Sequence, residues 1–480
     1  MNGIRIICRD LGSVLMIVSA VNLFALFVPL FYKEYYAIPW ILLTSGVLFL
    51  SGLFLRAIGR VKDEPMLRHA VAVAGLSWIV IPLLTVIPFM YVSNLDFLSS
   101  YFESMSGWTT TGLTMLGGQE EALSHTIQFY RSFTQWIGGI GVVVLMLTIL
   151  PRPGMGSFVL FRSEAREEKI HPSILSTIKS MWWIYVTFTV IGIALLSVFG
   201  MPIWDSMNHA MCAISTGGFA VHSQSIGAYD SIFLEIIITA LTIFGATAFV
   251  ANHNLFKGRF RKFLGDVQFR TLVSLLVVGI SVLTIINLQY FGGSFWDSLR
   301  HSFFQFASSQ TTTGFSTVNV VSWSASAKIV MCMAMIIGGA AGATCGGIKL
   351  IRFYLLVKEV GWNAARVTST SRRVFSYSIG GRRLSRDEKD DVVNEAGIIS
   401  ILWVICLFFS VFVLLWTVPG NTLENIFFEV SSAQGNVGLS TGITQAAMDP
   451  VAKIMLIINM YIGRLEIVPV VMMIAAIFRK

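Results

Sequence analysis

Apolar residues run along this chain in blocks of roughly twenty, the length a helix needs to cross a bilayer. Blocks at 11–32 and 38–56 come first, joined by the polar turn Tyr32-Lys33-Glu34. The first block is too long for a signal-peptide core and lacks a small-residue cleavage pattern, so it reads as a span. The basic turn Arg56 to Arg68 follows. From there one pattern recurs four times: a long apolar block, a short amphipathic segment, a small-residue loop, and a second long block. The long blocks are expected at 69–92 and 127–150, 176–200 and 231–256, 271–291 and 326–357, and 394–417 and 451–478. The short helices are expected from Asp96 to Gly107, Trp204 to Ile214, Ser294 to Ser309 and Thr422 to Ala433. Two extra spans thus occupy 1–66, and the repeats occupy 67–170, 171–265, 266–392 and 393–480.

The loops after the short helices resemble one another. They read Thr109-Thr110-Thr111-Gly112-Leu113-Thr114, Ser215-Thr216-Gly217-Gly218-Phe219-Ala220, Thr311-Thr312-Thr313-Gly314-Phe315-Ser316 and Gly435-Asn436-Val437-Gly438-Leu439-Ser440. Each places a glycine just before Leu or Phe. Each glycine has a second one in the following block: Gly138, Gly245, Gly338 and Gly463, at 26, 27, 24 and 25 residues. Agreement in order and spacing across four copies marks an internal repeat. The expected fold is an all-α polytopic membrane protein, with four span–pore helix–span repeats around a pseudo-fourfold pore.

Charge fixes the orientation expected of these repeats. The chain is 55% hydrophobic and only 12% charged, with mean hydropathy +0.73. A net charge of +8 is compatible with a nucleic-acid partner, but 28 of 34 Lys and Arg residues fall in six clusters. Those are 5–9, 56–68, 152–179, 257–270, 349–389 and 479–480, while 93–130, 201–256 and 390–452 hold none. This is the positive-inside pattern, with both termini cytoplasmic and no nucleic-acid partner. All four repeats then share one orientation, unlike the inverted repeats of many transporters. The five cysteines form no C-x-x-C pair, so neither a disulfide framework nor a metal site is expected.

The loops suit a cation stripped of water, because backbone carbonyls in an extended, glycine-bearing chain can replace its hydration shell. The candidate ion-binding residues are Thr110, Thr111 and Gly112; Thr216, Gly217 and Gly218; Thr312, Thr313 and Gly314; and Asn436, Val437 and Gly438. Asp96, Asp205 and Asp297 lie near short-helix starts, where acids cap and complement the dipole. Glu103, Glu120, Glu121, Asp230 and Glu424 are expected to gather cations at the mouth. Gly438-Leu439-Ser440-Thr441-Gly442 matches a nucleophile pattern, but no strand–turn–helix context surrounds it, and the chain does not read as an enzyme.

On Thr109 to Gly112, Gly338 to Lys349 and Gly463-Arg464-Leu465-Glu466, the chain resembles the TrkH-type subunits of the Trk/Ktr/HKT superfamily of potassium transporters. The resemblance covers nearly the whole chain. It implies one selectivity filter from the four loops, and glycine at all four positions implies K+ as the transported ion, with no cofactor in this chain. It also implies a plasma (inner) membrane homodimer bound to a cytoplasmic TrkA-type nucleotide-binding ring. The basic stretch Lys358 to Lys389 is either a docking surface for that ring or topology charge alone. Coupled symport through the same pore is the alternative to uniport.

The residues Gly338, Gly339, Gly342, Gly346, Gly347 and Lys349 interrupt the last block of the third repeat. Their G-x-x-x-G spacing allows close helix packing. Two Gly-Gly pairs instead suit non-helical backbone lining a cavity, and the resemblance implies a gating loop. Arg464, mid-span, pairs either with Glu466 or with carbonyls, or stands as a fixed charge beside the pore.

Overall fold

The structure is a computed structural model. It describes residues 2–61, 66–149, 174–369 and 377–467, together with 470 and 473. Six helices among these are long and apolar enough to cross a membrane: Gly3–Phe31, Tyr35–Ile58, Arg68–Tyr91, Ser176–Val198, Val267–Asn287 and Arg386–Thr417. The first begins well before residue 11, because the polar start Asn2 to Arg9 continues the same helix. Helix Asn2–Asn22 crosses Ile38–Ile58 closely. Gly12 faces the Gly52 carbonyl and Gly52 faces Gly12, leaving no room for a side chain. Ser19 donates to the Ser45 carbonyl at 2.7 Å and Asn22 to the Ser45 hydroxyl at 2.8 Å, satisfying polar groups within the bilayer. The turn after the first helix also serves the first repeat. Glu34 accepts from the Thr126 N–H and from the His125 N–H, both at 2.9 Å, at the start of helix His125–Ile149.

Each repeat has an entry helix, a short helix and a return helix. The short helices are Phe97–Trp108, Ile203–Ile214, Phe295–Gln310 and Leu423–Gln434, within a residue or so of expectation. Asp96 caps the first by accepting from Ser99 N–H at 2.8 Å. Asp205 and Asp297 do not cap. Asp205 instead accepts from the Tyr229 hydroxyl at 2.7 Å, and Ser294 caps the third helix.

The return helices depart from the expected unbroken spans. His125–Ile149 is continuous. The second is bent by 114° between Ile232–Ala246 and Phe249–Phe256. The third stops at Ile337 and resumes as Leu350–Val367. The fourth is interrupted after Leu465, where Glu466 has φ +64°, and Ile467 is helical again. Expected segments 150–173, 370–376 and 474–480 lie outside the described residues. The largest apolar core joins the N-terminal pair to the first and fourth repeats through Leu15, Leu48, Val73, Phe102 and Leu456.

Candidate ion-conduction site

The four loops share one backbone despite their different sequences. The residue two before each glycine is left-handed: Thr110 at φ +56°, Thr216 at +52°, Thr312 at +53° and Asn436 at +52°. Gly112, Gly218, Gly314 and Gly438 follow at +91°, +78°, +88° and +98°. The residue between donates its N–H back into the short helix in every copy. Thr111 reaches the Ser106 carbonyl at 2.9 Å, Gly217 reaches Cys212 at 2.8 Å, Thr313 reaches Ser308 at 2.9 Å, and Val437 reaches Ser432 at 2.8 Å. Leu113, Phe219, Phe315 and Leu439 are buried while the glycines beside them are partly open. That explains the Gly-Leu/Phe pattern: the large side chain anchors the loop into the core, and the glycine stays partly open.

The loops also close on one another. A Cβ on Gly112 would strike the Gly217 carbonyl, and one on Gly218 would strike that of Thr313. One on Gly314 would strike Val437, and one on Gly438 would strike Thr111. The contacts run from each repeat to the next and return to the first. Each second glycine explains its constant spacing in the same terms. Gly138, Gly245 and Gly463 lie against the carbonyls of Trp108, Ile214 and Gln434 at the ends of their own short helices. Gly338 instead accepts from Gln310 Nε2 at 2.7 Å.

Directly beneath one face of this ring sits the glycine-rich segment. Residues 338–349 are not helical, with Gly338, Gly342, Gly347 and Lys349 all at positive φ, so the helix-packing reading of the glycines does not hold. The bend in the second return helix exists to receive this segment. It frees the Ala246 and Gly245 carbonyls to accept from Ala340 N at 2.9 Å and Thr344 N at 3.2 Å, while Phe249 N donates to Gly342 O at 2.9 Å. Gly346 N donates to Thr312 Oγ1 at 2.9 Å, and Thr344 and Thr216 hydroxyls meet at 3.2 Å. Gly339 packs on Cys345, Gly346 packs on Gly435, and Lys349 Nζ closes the loop on the Cys345 carbonyl at 2.6 Å.

Arg464 joins the segment to the opposite side. Its guanidinium donates to the Thr344 carbonyl, to Gly138 O at 2.7 Å and to Gly139 O at 3.0 Å, with Thr110 Oγ1 at 3.4 Å. It also faces the Trp78 ring, 5.3 Å from the centroid. Carbonyls are thus among its partners, while Glu466 pairs with Arg352 at 2.5 Å. A buried guanidinium is tolerated at membrane depth only with such a set of acceptors.

On the ring's other face, the expected cation-gathering acids are largely committed elsewhere. Glu103 is fully buried and pairs with Arg131 at 2.8 Å. Asp230 and Glu235 both hold Arg300. Glu121 accepts from Ser223 N–H and hydroxyl, each at 2.8 Å. A belt of polar contacts pins each return helix to the next repeat's short helix. Gln128 accepts from Trp204, Glu235 accepts from Arg300, Lys328 donates to Asn425, and Lys453 donates to Ser99. All four pins lie ten residues before the second glycine of their repeat.

Residues 54–479 match the family model described as TrkH, a cation transport protein. The chain belongs to this family. It is 32% identical to the Trk system potassium uptake protein TrkH of Salmonella typhimurium over 96% of each chain. It is 31% identical to an uncharacterized cation transporter of Methanocaldococcus jannaschii, over 99% of this chain and 96% of that one. The crystal structure of the potassium transporter TrkH from Vibrio parahaemolyticus superposes with a TM-score of 0.85 at 29% identity, covering 99% of both chains. In this TrkH-family chain the loop glycines meet one another's loops, and the segment 338–349 and Arg464 are hydrogen-bonded to those loops. Sequence reasoning missed the belt, whose signal was a polar residue at constant distance before each second glycine. It also missed Glu429, nine residues before Gly438 as Glu103 is before Gly112.

Proposed function

We propose that this protein carries potassium inward across the plasma membrane through the ring of four loops, with K+ held by the loop carbonyls. The observation that carries this is the closed contact ring of Gly112, Gly218, Gly314 and Gly438, in which each glycine meets a backbone carbonyl of the next loop. Relatives named as potassium uptake proteins support potassium as the cargo. An inside-negative potential drives such entry by about 2.3 kcal/mol per charge per 100 mV. The segment 338–349 and Arg464 form the barrier under the ring. Arg464 opposes cations by its charge, and the glycine-rich backbone moves aside when the gate opens. The active form is a homodimer with both termini cytoplasmic, regulated by a cytoplasmic TrkA-type nucleotide-binding ring that docks on Lys358 to Lys389. Of that stretch, 370–376, with Arg372 and Arg373, lies outside the described residues.

The deciding experiment is rubidium uptake into liposomes under an imposed potential, with sodium competition and no other gradient. Uptake on potential alone supports the pore, and dependence on a sodium or proton gradient would replace it with coupled symport. In the same liposomes Gly112→Ser is expected to raise sodium permeation relative to rubidium, because the added side chain meets the Gly217 carbonyl. Unaltered selectivity in an inserted protein would remove Gly112 from the filter.

A further inference from the structure

The position nine residues before each loop glycine holds Glu103, His209, Gln305 and Glu429. All four are fully buried behind their loops. Three of them catch the chain as it leaves the ring. Gln305 accepts from Thr317 N–H at 3.3 Å, and Glu103 accepts from Met115 N–H at 2.8 Å. Glu429 accepts from Thr441 N–H at 2.8 Å. The two carboxylates differ in what balances them. Glu103 carries the Arg131 guanidinium at 2.8 Å. Glu429 has no ion pair among the described residues. The nearest cation bonded to its helix, Lys328, donates to Asn425 and to the Val321 carbonyl, each at 2.7 Å.

Glu429 is instead held by donors alone. Ser440 Oγ at 2.7 Å, Thr444 N–H at 3.1 Å and the Thr444 hydroxyl meet Oε1, and the Thr441 N–H and its hydroxyl, at 3.0 Å, meet Oε2. The two N–H groups can only donate, and they sit on different oxygens. Both oxygens therefore accept from backbone N–H groups, with the three hydroxyls completing the cage. Ser440, one hydrogen bond from the charge, is partly exposed two residues past Gly438.

We propose that Glu429 supplies the uncompensated negative charge that raises cation affinity at the entrance to the ring. The proposal rests on the reading of the loops as a cation filter. It makes repeat 4, whose loop lacks the Thr-rich sequence, the one that contributes charge rather than hydroxyls. A charge acting through water at the mouth is screened as the Debye length falls from ~30 Å at 0.01 M to ~3 Å at 1 M salt.

The test is rubidium uptake by the full-length protein in liposomes, with apparent KM measured at low and high N-methylglucamine chloride. Glu429→Gln is expected to raise KM about three- to tenfold at low salt, with the gap closing at high salt. Ser440→Ala, which loosens the loop but keeps the charge, should lower the maximal rate with KM within about twofold. Glu429→Asp should behave like Ser440→Ala, and it carries the test alone if the Gln variant does not insert. A KM unmoved by Gln, a shift independent of salt, or a rise in Asp equal to that in Gln would overturn the proposal and leave Glu429 a loop anchor. Gly112→Ser is measured alongside. If its selectivity also fails to change, the filter reading falls, and if it changes, only the role of Glu429 does.

Discussion

The return helices of the first and third repeats occupy corresponding places and solve opposite problems. His125–Ile149 runs unbroken and presents the Gly138 and Gly139 carbonyls sideways to Arg464. Its counterpart gives up the helix between Ile337 and Leu350, and what it presents is non-helical backbone bonded to three repeats at once. A helix satisfies its polar groups internally and stays put. A loop at the same depth is held only by its neighbours, so a change in those neighbours can release it. The contrast teaches that the same glycine position supports a continuous helix in one repeat and non-helical backbone in another, depending on what surrounds it.

The sharpest way to break that comparison is to cut the bridge between the two. Arg464→Ala is expected to raise partner-free rubidium uptake about tenfold or more, since a unit charge near the axis costs a cation a few kcal/mol. Shortening the segment between Gly339 and Gly346 should do the same to a lesser degree. If both variants insert and conduct no faster than the parent, the third repeat is as static as the first.

Next come the glycines themselves. Gly138→Ala drives a Cβ into the Trp108 carbonyl and Gly338→Ala drives one into Gly346 at φ +68°. Each should cost about 2–4 kcal/mol, read as a lower melting temperature of the solubilised protein. Gly361→Ala and Gly397→Ala, with open space around them in helices, should be neutral or gain up to ~1 kcal/mol. Equal losses at all four would mean the close approaches are not specific.

The belt gives a smaller effect. Lys453→Met and Lys328→Met each remove a buried cross-repeat hydrogen bond and should cost about 1–3 kcal/mol by the same melt. The loss should be additive, because the two lie on opposite sides of the fourth repeat.

The smallest involves Glu34. Burial raises its carboxyl affinity for protons, but the bonds from Thr126 and His125 outweigh this and hold it below the usual carboxylate range. Such a depressed group stabilises the fold above the ordinary carboxylate pKa, and that contribution is lost as pH falls through its lowered value. Acidification from about pH 5 to about pH 3 should therefore lower the melting temperature in the parent and less so in Glu34→Gln.

Much of this arrangement was readable because backbone demands leave marks in composition. A left-handed residue beside carbonyls calls for glycine, and a repeated spacing to a second glycine reports a short helix resting on its own return helix. The bend at Thr247 and Ala248 left no such mark. Gly245 to Ala248 would sit comfortably in a helix, and the bend comes from hydrogen bonds to a segment some hundred residues later. Partners were equally hidden. Arg131 and Arg300 break the charge pattern along the chain, yet only folding shows that they pair with Glu103 and Asp230, two of the acids expected to attract ions. In the fourth loop Asn436 stands where the other three carry threonine. Its amide donates to Thr111 Oγ1 and to the Met460 carbonyl, both at 2.9 Å, and so ties the last loop to the first.

That last tie has a consequence for how the molecule is made. The loops meet head to tail, and the ring is completed only when Gly438 reaches Thr111. A chain synthesised from its N-terminus inserts three repeats before the fourth exists. Until then Thr111 and the Thr110 hydroxyl face an unfilled gap, and the Gly138 carbonyl waits for an arginine more than three hundred residues away. The nascent protein is thus an open arc, and a premature stop within the fourth repeat leaves the membrane with an arc that never becomes a passage.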